Sequence, residues 1–165
     1  MKRVIVIGCP GAGKSTFAKN LRDATGLPLY HLDMLWHRPD RTNVSVAEFD
    51  EKLGEILGRP EWIIDGNYER TQETRLQQCD TAFLLDYPLE ICLDGAKDRI
   101  GKGRDDMPWV ETELDEKFRQ WILNFPKSQL PRIYDLLSKY QSNREIVIFK
   151  SREGAEEYLK GLLMK

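Results

Sequence analysis

The chain has 165 residues, 41% of them hydrophobic and 32% charged, which suits one globular domain over residues 1–165 and leaves no room for two enzyme domains. Its 25 Lys and Arg against 27 Asp and Glu leave a formal net charge of −2, so no global field draws it to nucleic acid. Cys9, Cys79 and Cys92 form no CxxC pair, which argues against a zinc knuckle or disulfide framework and for free thiols in a reducing cytoplasm.

The opening MKRVIVIG places two basic residues before an apolar run, as a signal peptide would, but only Val4 to Ile7 are continuously apolar. No stretch approaches the roughly 18 apolar residues of a membrane span. The chain reads as soluble, cytoplasmic and without a membrane partner.

In chain order, Arg3 to Ile7 is a β-branched run that predicts a strand and ends in a glycine-rich turn. Ser15 to Thr25 carries Phe17, Ala18 and Leu21 at helical spacing before Gly26 and Pro28. Leu29 to Leu32 predicts a second strand. Ser45-Val-Ala-Glu48 is a capping box opening a helix with Val46, Phe49, Leu53, Ile56 and Leu57 on one face, ended by Gly58 and Pro60. Trp62 to Ile64 and Ala82 to Leu85 are continuous apolar runs, as strands buried on both faces require, and they close on Asp65 and Asp86. Pro88 opens a helix running to about Ile100.

Residues 101–111 have no period. Leu114, Phe118, Trp121, Ile122 and Phe125 share one helical face and Leu130, Ile133, Tyr134 and Leu137 another, which predicts two helices parted near Pro126. Ile146 to Phe149 predicts the last strand, and Ala155, Tyr158, Leu159, Leu162 and Leu163 an amphipathic helix behind a Ser151 cap. Strands interleaved with helices imply an α/β fold whose five-stranded parallel sheet is covered on both faces, with ligands at the carboxyl ends of the strands.

Gly8, four residues (Cys9, Pro10, Gly11, Ala12), then Gly13-Lys14-Ser15 match the P-loop template in full, after a predicted strand and before a predicted helix. Such a loop, continuing into Thr16, converges backbone N–H groups on phosphate oxygens. Lys14 would reach the β- and γ-phosphates and Ser15 would hold Mg²⁺. A metal-bound triphosphate also needs a carboxylate at a neighbouring strand end. Asp65 is favoured for it, with an Asp-Gly turn as the plain alternative; Asp86 competes, although Pro88 offers it a capping role. Cys9, inside the loop beside Lys14, is expected to be a thiolate that alkylating reagents attack and ATP protects.

Phosphoryl transfer needs arginines that close over the moving group. Arg99 and Arg104 flank Gly101-Lys-Gly, whose glycines suit a swinging lid, and Arg132 lies beyond it as a more distant candidate. Asp33, at the end of the second strand, could take a proton from an acceptor hydroxyl or orient it, with a cap for the next turn as the plain alternative. His31 and His37 read as packing or surface residues, Trp36, Trp62 and Trp121 as core, and Trp109 on the lid is unexplained.

These residues resemble those of P-loop small-molecule kinases related to adenylate kinase, and within them the branch often labelled DNA topology modulation proteins. The likeness covers essentially the whole chain: Gly8 to Ser15; Trp62-Ile-Ile-Asp65-Gly-Asn-Tyr-Glu-Arg70-Thr; and Asp98-Arg99-Ile100 before a lid. The branch-level likeness rests on Tyr30-His-Leu-Asp33 followed by Trp36, on Asp65-Gly66-Asn67-Tyr68, and on Trp121-Ile122 before Phe125-Pro126. It implies a three-layer P-loop NTPase fold with strand order 2-3-1-4-5, an acceptor-binding segment over about 33–59 and a short lid over about 101–118. It also implies ATP and Mg²⁺ as cofactors and transfer of the γ-phosphoryl group to a nucleotide or other small acceptor, with a nucleoside-monophosphate-kinase-like enzyme ahead of an alcohol kinase; a nucleotide-controlled regulatory protein is the alternative. Trp36 stands where adenylate kinases carry an acceptor-gripping arginine, which turns attention to Arg38, Arg41 and Arg70. The lid lacks a cysteine quartet, so no zinc stabilises it.

Overall fold

The computed structural model describes residues 1–164, and their elements alternate as the hydrophobic periods require. The strands are β1 (Arg3–Gly8), β2 (Leu29–His31), β3 (Trp62–Asp65), β4 (Thr81–Leu85) and β5 (Glu145–Phe149). They form one parallel sheet in the order β2-β3-β1-β4-β5. The helices are α1 (Lys14–Thr25), α2 (Leu32–Trp36), α3 (Val46–Leu57), α4 (Glu69–Gln78), α5 (Leu89–Asp98), α6 (Glu116–Ser128), α7 (Leu130–Tyr140) and α8 (Arg152–Leu163).

Strand alternation sorts the helices into two layers. Val6 pairs with Phe83, so the two share a face. On it Phe17 of α1 and Tyr158 of α8 meet Phe83 and Phe149, with ring centroids 5.1–5.6 Å apart across the layers. Ile5 and Ile7 point the other way, toward Leu76 of α4 and Ile133 and Leu137 of α7. Burial on both sides is why β1, β3 and β4 read as unbroken apolar runs.

The departures from expectation have local causes. Leu32 leaves the sheet and starts α2, its side chain buried under the second crossover. Helix α4 escapes any apolar pattern because its buried residues are Thr71, Gln72, Arg75 and a single leucine, Leu76. Pro126 lies inside α6, and the break comes at Gln129; Pro131 occupies the first turn of α7, where its missing N–H costs nothing. Trp121 is 43% exposed and Val46 and Leu163 also face outward, so these three leave the faces assigned to them. The Ser45 and Ser151 caps are present, accepting from Glu48 N–H at 3.0 Å and Gly154 N–H at 3.2 Å. No helix among the described residues is long and apolar enough to cross a membrane.

Candidate active site

Strand β1 ends at Gly8, whose N–H donates to Asn67 Oδ1 at 3.1 Å and whose carbonyl accepts from Asn67 Nδ2 at 2.7 Å. The loop then turns through Gly11 (φ 83°) and Gly13 (φ 98°), a region that L side chains avoid. A Cβ on Gly11 would lie 2.0 Å from the Cys92 carbonyl oxygen, and one on Gly95 would lie 2.0 Å from the Gly11 carbonyl oxygen, so α5 packs main chain against the loop. A Cβ on Gly13 would meet nothing within 4 Å. No side chain caps α1, which leaves its first N–H groups free to bind an anion.

Lys14 Nζ donates to the carbonyls of Gly8 (3.0 Å) and Cys9 (3.1 Å) and forms no ion pair with any described carboxylate. Desolvation pushes its ammonium below the ordinary lysine value against the pull of Asp65, and Arg99 adds to the depression. A cation so placed is available to a phosphate.

The segment after β3 is anchored from beneath. Arg75, fully buried, donates to the carbonyls of Gly66 (2.9 Å), Asn67 and Tyr68 (3.2 Å). Burial lowers this guanidinium to about 9. The same segment presents Asp65, 4% exposed, whose Oδ2 accepts from His31 Nδ1 and lies 2.7 Å from Ser15 Oγ. Asp106 Oδ2 of the lid lies 2.9 Å from that hydroxyl on its other side. Asp65 Oδ1 is buried without a hydrogen-bond partner. Hydroxyl and carboxylate oxygens beside a phosphate loop are the hard donors Mg²⁺ takes, so the residues present fit that ion.

These groups line one cleft of about 1230 Å³, which also takes in Pro10, Gly11, Ala12, Thr16, Asp33, His37, Arg41, Tyr68, Arg99, Arg104 and Trp109. That exceeds the usual single-ligand pocket and has room for two. Asp33 Oδ1 accepts from Tyr68 O–H at 2.6 Å, and Tyr68, forced into φ 40°, stacks on Phe49 at 5.3 Å. Burial, with Asp33 adding its charge, pushes the Tyr68 phenol up, so it stays a donor. Over the cleft, Arg99 lies 5.8 Å from the Phe118 ring centroid with Nε and Nη2 buried and unpartnered. Arg104 pairs with Asp106 at 3.3 Å and Glu111 at 3.6 Å. Trp109 meets His37 edge-on at 4.9 Å, with Arg41 6.0 Å from its ring centroid.

Other residues go elsewhere. Arg38 and Arg70 lie outside the cleft, held by Glu48 (3.2 Å) and Asp50 (2.6 Å). Arg132 ties α7 to Glu69 and Gln72 of α4. Asp86 is taken by Tyr134 and Lys150. Cys9 corrects the expectation of an exposed thiolate: it is buried, and its neighbour Cys92 and desolvation push its thiol up, outweighing Lys14, while the same pairing lowers Cys92, itself buried. Asn67 and Tyr68 belong to the Asp65-Gly66-Asn67-Tyr68 motif without a role assigned to them there, while Arg75, Gly95 and Asp106 have none in the sequence reading; the Asp105-Asp106 pair beside Arg104 is the signal that points to Asp106.

A glycine loop between the central strand of a 2-3-1-4-5 parallel sheet and the helix that follows defines the P-loop fold class. No protein-family model matches the chain. It is 32% identical to adenylate kinase of Thermotoga maritima over 102 residues, 58% of this chain and 46% of that protein. With adenylate kinase of Thermosipho africanus it shares 27% over 142 residues, 82% and 65% of the two chains. A shikimate kinase of Flavobacterium johnsoniae is 39% identical over 59 residues, 36% and 33% of the two. The chain thus spans about half the length of the first of these curated relatives. Among solved structures, shikimate kinase from Acinetobacter baumannii in complex with shikimate superposes with a TM-score of 0.63, covering 99% of this chain and 92% of that one at 17% identity. That likeness is one of fold.

Proposed function

We propose that the chain is an ATP-dependent phosphotransferase that moves the γ-phosphoryl group of Mg-ATP to a small-molecule acceptor. The observation that carries this reading is the P-loop opening onto a cleft that continues past Lys14 to Asp33, Tyr68 and Arg41. A protein that only bound nucleotide would have no use for that second half. Kinase names among its relatives by sequence support the same reading.

In the transfer, an acceptor oxygen bonds to the γ-phosphorus as the bond to the β,γ-bridging oxygen breaks and ADP leaves. Lys14 and the loop N–H groups stabilise the phosphates, and Arg99, with two orphaned nitrogens, takes charge developing on the moving group. Ser15 and Asp65 would hold Mg²⁺, which neutralises charge on the β- and γ-oxygens when bound.

Arg38 and Arg70 are neutralised at the surface while Asp33 faces the cleft, and this favours a hydroxyl acceptor over a nucleoside monophosphate. A hydroxyl loses a proton as it attacks, which Asp33 can receive; a phosphate acceptor is already anionic and needs guanidinium forks instead.

The test is a thermal-shift titration with Mg-ATP followed by transfer assays against pooled alcohols and nucleoside monophosphates. Stabilisation by Mg-ATP and phosphorylation of an alcohol are expected, with turnover reduced about 10²-fold or more in Lys14→Ala. Binding without transfer to any pool would leave the regulatory alternative in its place.

A further inference from the structure

We propose that Asp106 is a metal ligand carried by the lid, so that the divalent ion accompanying the nucleotide, as well as the phosphates, holds the lid shut. The proposal rests on the nucleotide-binding reading of the cleft.

Proton counting around Ser15 carries it. The hydroxyl has one hydrogen but lies within hydrogen-bond distance of two carboxylate oxygens, Asp65 Oδ2 at 2.7 Å and Asp106 Oδ2 at 2.9 Å. It can donate to one of them; the other contact sets oxygen against oxygen with nothing positive between. The other donors are already divided: His31 Nδ1 serves Asp65 Oδ2, Arg104 Nη1 donates to Asp106 Oδ2 at 3.3 Å while its Nη2 faces Glu111, and Lys14 is held by loop carbonyls.

Both acids are withdrawn from water, at 4% and 3% exposure, and Asp65 Oδ1 is buried with no partner at all. Burying carboxylates is costly unless cations answer them, and here one guanidinium is shared between Asp106 and Glu111 while Asp65 Oδ1 has none. One hydroxyl and two carboxylates bordering a triphosphate site are a set that Mg²⁺ accepts, since it commonly takes one or two carboxylates together with phosphate oxygens and water.

The position of Asp106 in the chain makes the arrangement informative. It belongs to the unpatterned segment between α5 and α6, 91 residues from Ser15. Its neighbour Asp105 reaches Lys19 of α1 at 3.1 Å, so the same turn is held at two points along that helix. One segment therefore carries anions for the metal, and Arg99 and Arg104 for the phosphates. Metal and phosphates together engage both signs of charge and draw the segment down; a nucleotide without metal engages only the arginines.

Calorimetric titration with the imido analogue of ATP, in Mg²⁺ and separately in EDTA, tests this without turnover. In Asp106→Asn the ratio of nucleotide affinity with Mg²⁺ to that in EDTA is expected to fall about 10–100-fold, the scale for losing part of a metal's coordination environment, whatever the affinity in EDTA itself does as Arg104 is released. Tighter binding in both conditions would make Asp106 a plug that the nucleotide displaces and would overturn the proposal. Identical Mg²⁺ dependence in variant and parent would overturn it too, leaving Asp106 as lid packing. If Asp106→Asn melts below the assay temperature, Asp106→Glu carries the same test, because it keeps the charge but moves the oxygens; an unshifted Mg²⁺ midpoint there counts against the proposal. If the parent protein binds the analogue in neither condition, the reading of the cleft fails first and this proposal with it.

Discussion

At the P-loop end of the cleft the facing groups are main-chain N–H groups and one lysine, held by main chain pressed on main chain: Gly11 against Cys92, Gly95 against Gly11. At the far end, where we propose that the acceptor binds, they are side chains, Asp33, Arg41, Tyr68 and Trp109, brought from α2, the loop after it, the segment after β3 and the segment between α5 and α6. The first end is specified by where side chains are missing. The second is specified by which charges find partners elsewhere, so it can be respecified one residue at a time while the first cannot.

The largest expected effect is at the acceptor end. With a hydroxyl acceptor, Asp33→Asn should lower kcat about 10²–10⁴-fold, the range for a general base, and leave the acceptor KM nearly unchanged. Steady-state kinetics decide this; equal losses in kcat and acceptor affinity would make Asp33 a binding residue instead. Next comes a substitution that probes the other end. Ala is the better helix former, yet Gly95→Ala should destabilise by about 1–3 kcal/mol in denaturant unfolding, because its Cβ would lie 2.0 Å from the Gly11 carbonyl oxygen, which is main chain and cannot swing aside. A gain in stability would mean that the loop and α5 part easily.

Smaller effects separate the arginines. Arg41→Ala should raise the acceptor KM about tenfold if it grips an anionic group. Arg38→Ala and Arg70→Ala should change it less than roughly fivefold, since each side chain is spent on an exposed surface pair. The smallest effect concerns the thiols. Because all three cysteines are buried, thiol reagents at neutral pH should react slowly with the native protein and quickly once it is unfolded. Fast loss of one native thiol, blocked by ATP, would restore the exposed-thiolate view of the loop.

The fold was legible because its signals are local and apolar: Val4 to Ile7, Trp62 to Ile64 and Ala82 to Leu85 are strands buried on both faces, too short for buried helices and rich in β-branched and aromatic residues. The phosphate loop was legible because glycine spacing encodes backbone shape directly. Helix α4 was not, because it is held by a buried arginine bonded to carbonyls, an arrangement with no hydrophobic period. At the acceptor end Arg38, Arg41 and Arg70 look alike in the sequence. Only the fold brings Glu48 and Asp50 against two of them, and Glu48 does so while its own N–H completes the Ser45 cap. Cys9 misled for a similar reason, since Cys92 lies more than eighty residues away in the chain.

The contact of Trp109 with His37 and Arg41 also makes the protein its own optical gauge. Trp62 is sealed within the sheet, whereas Trp36 and Trp121 line the same cleft, Trp121 against Phe118. If the segment between α5 and α6 moves on ligand binding, Trp109 would exchange an imidazole edge and a guanidinium for water, and the difference in emission between the parent and a Trp109→Phe variant would isolate its share of that signal.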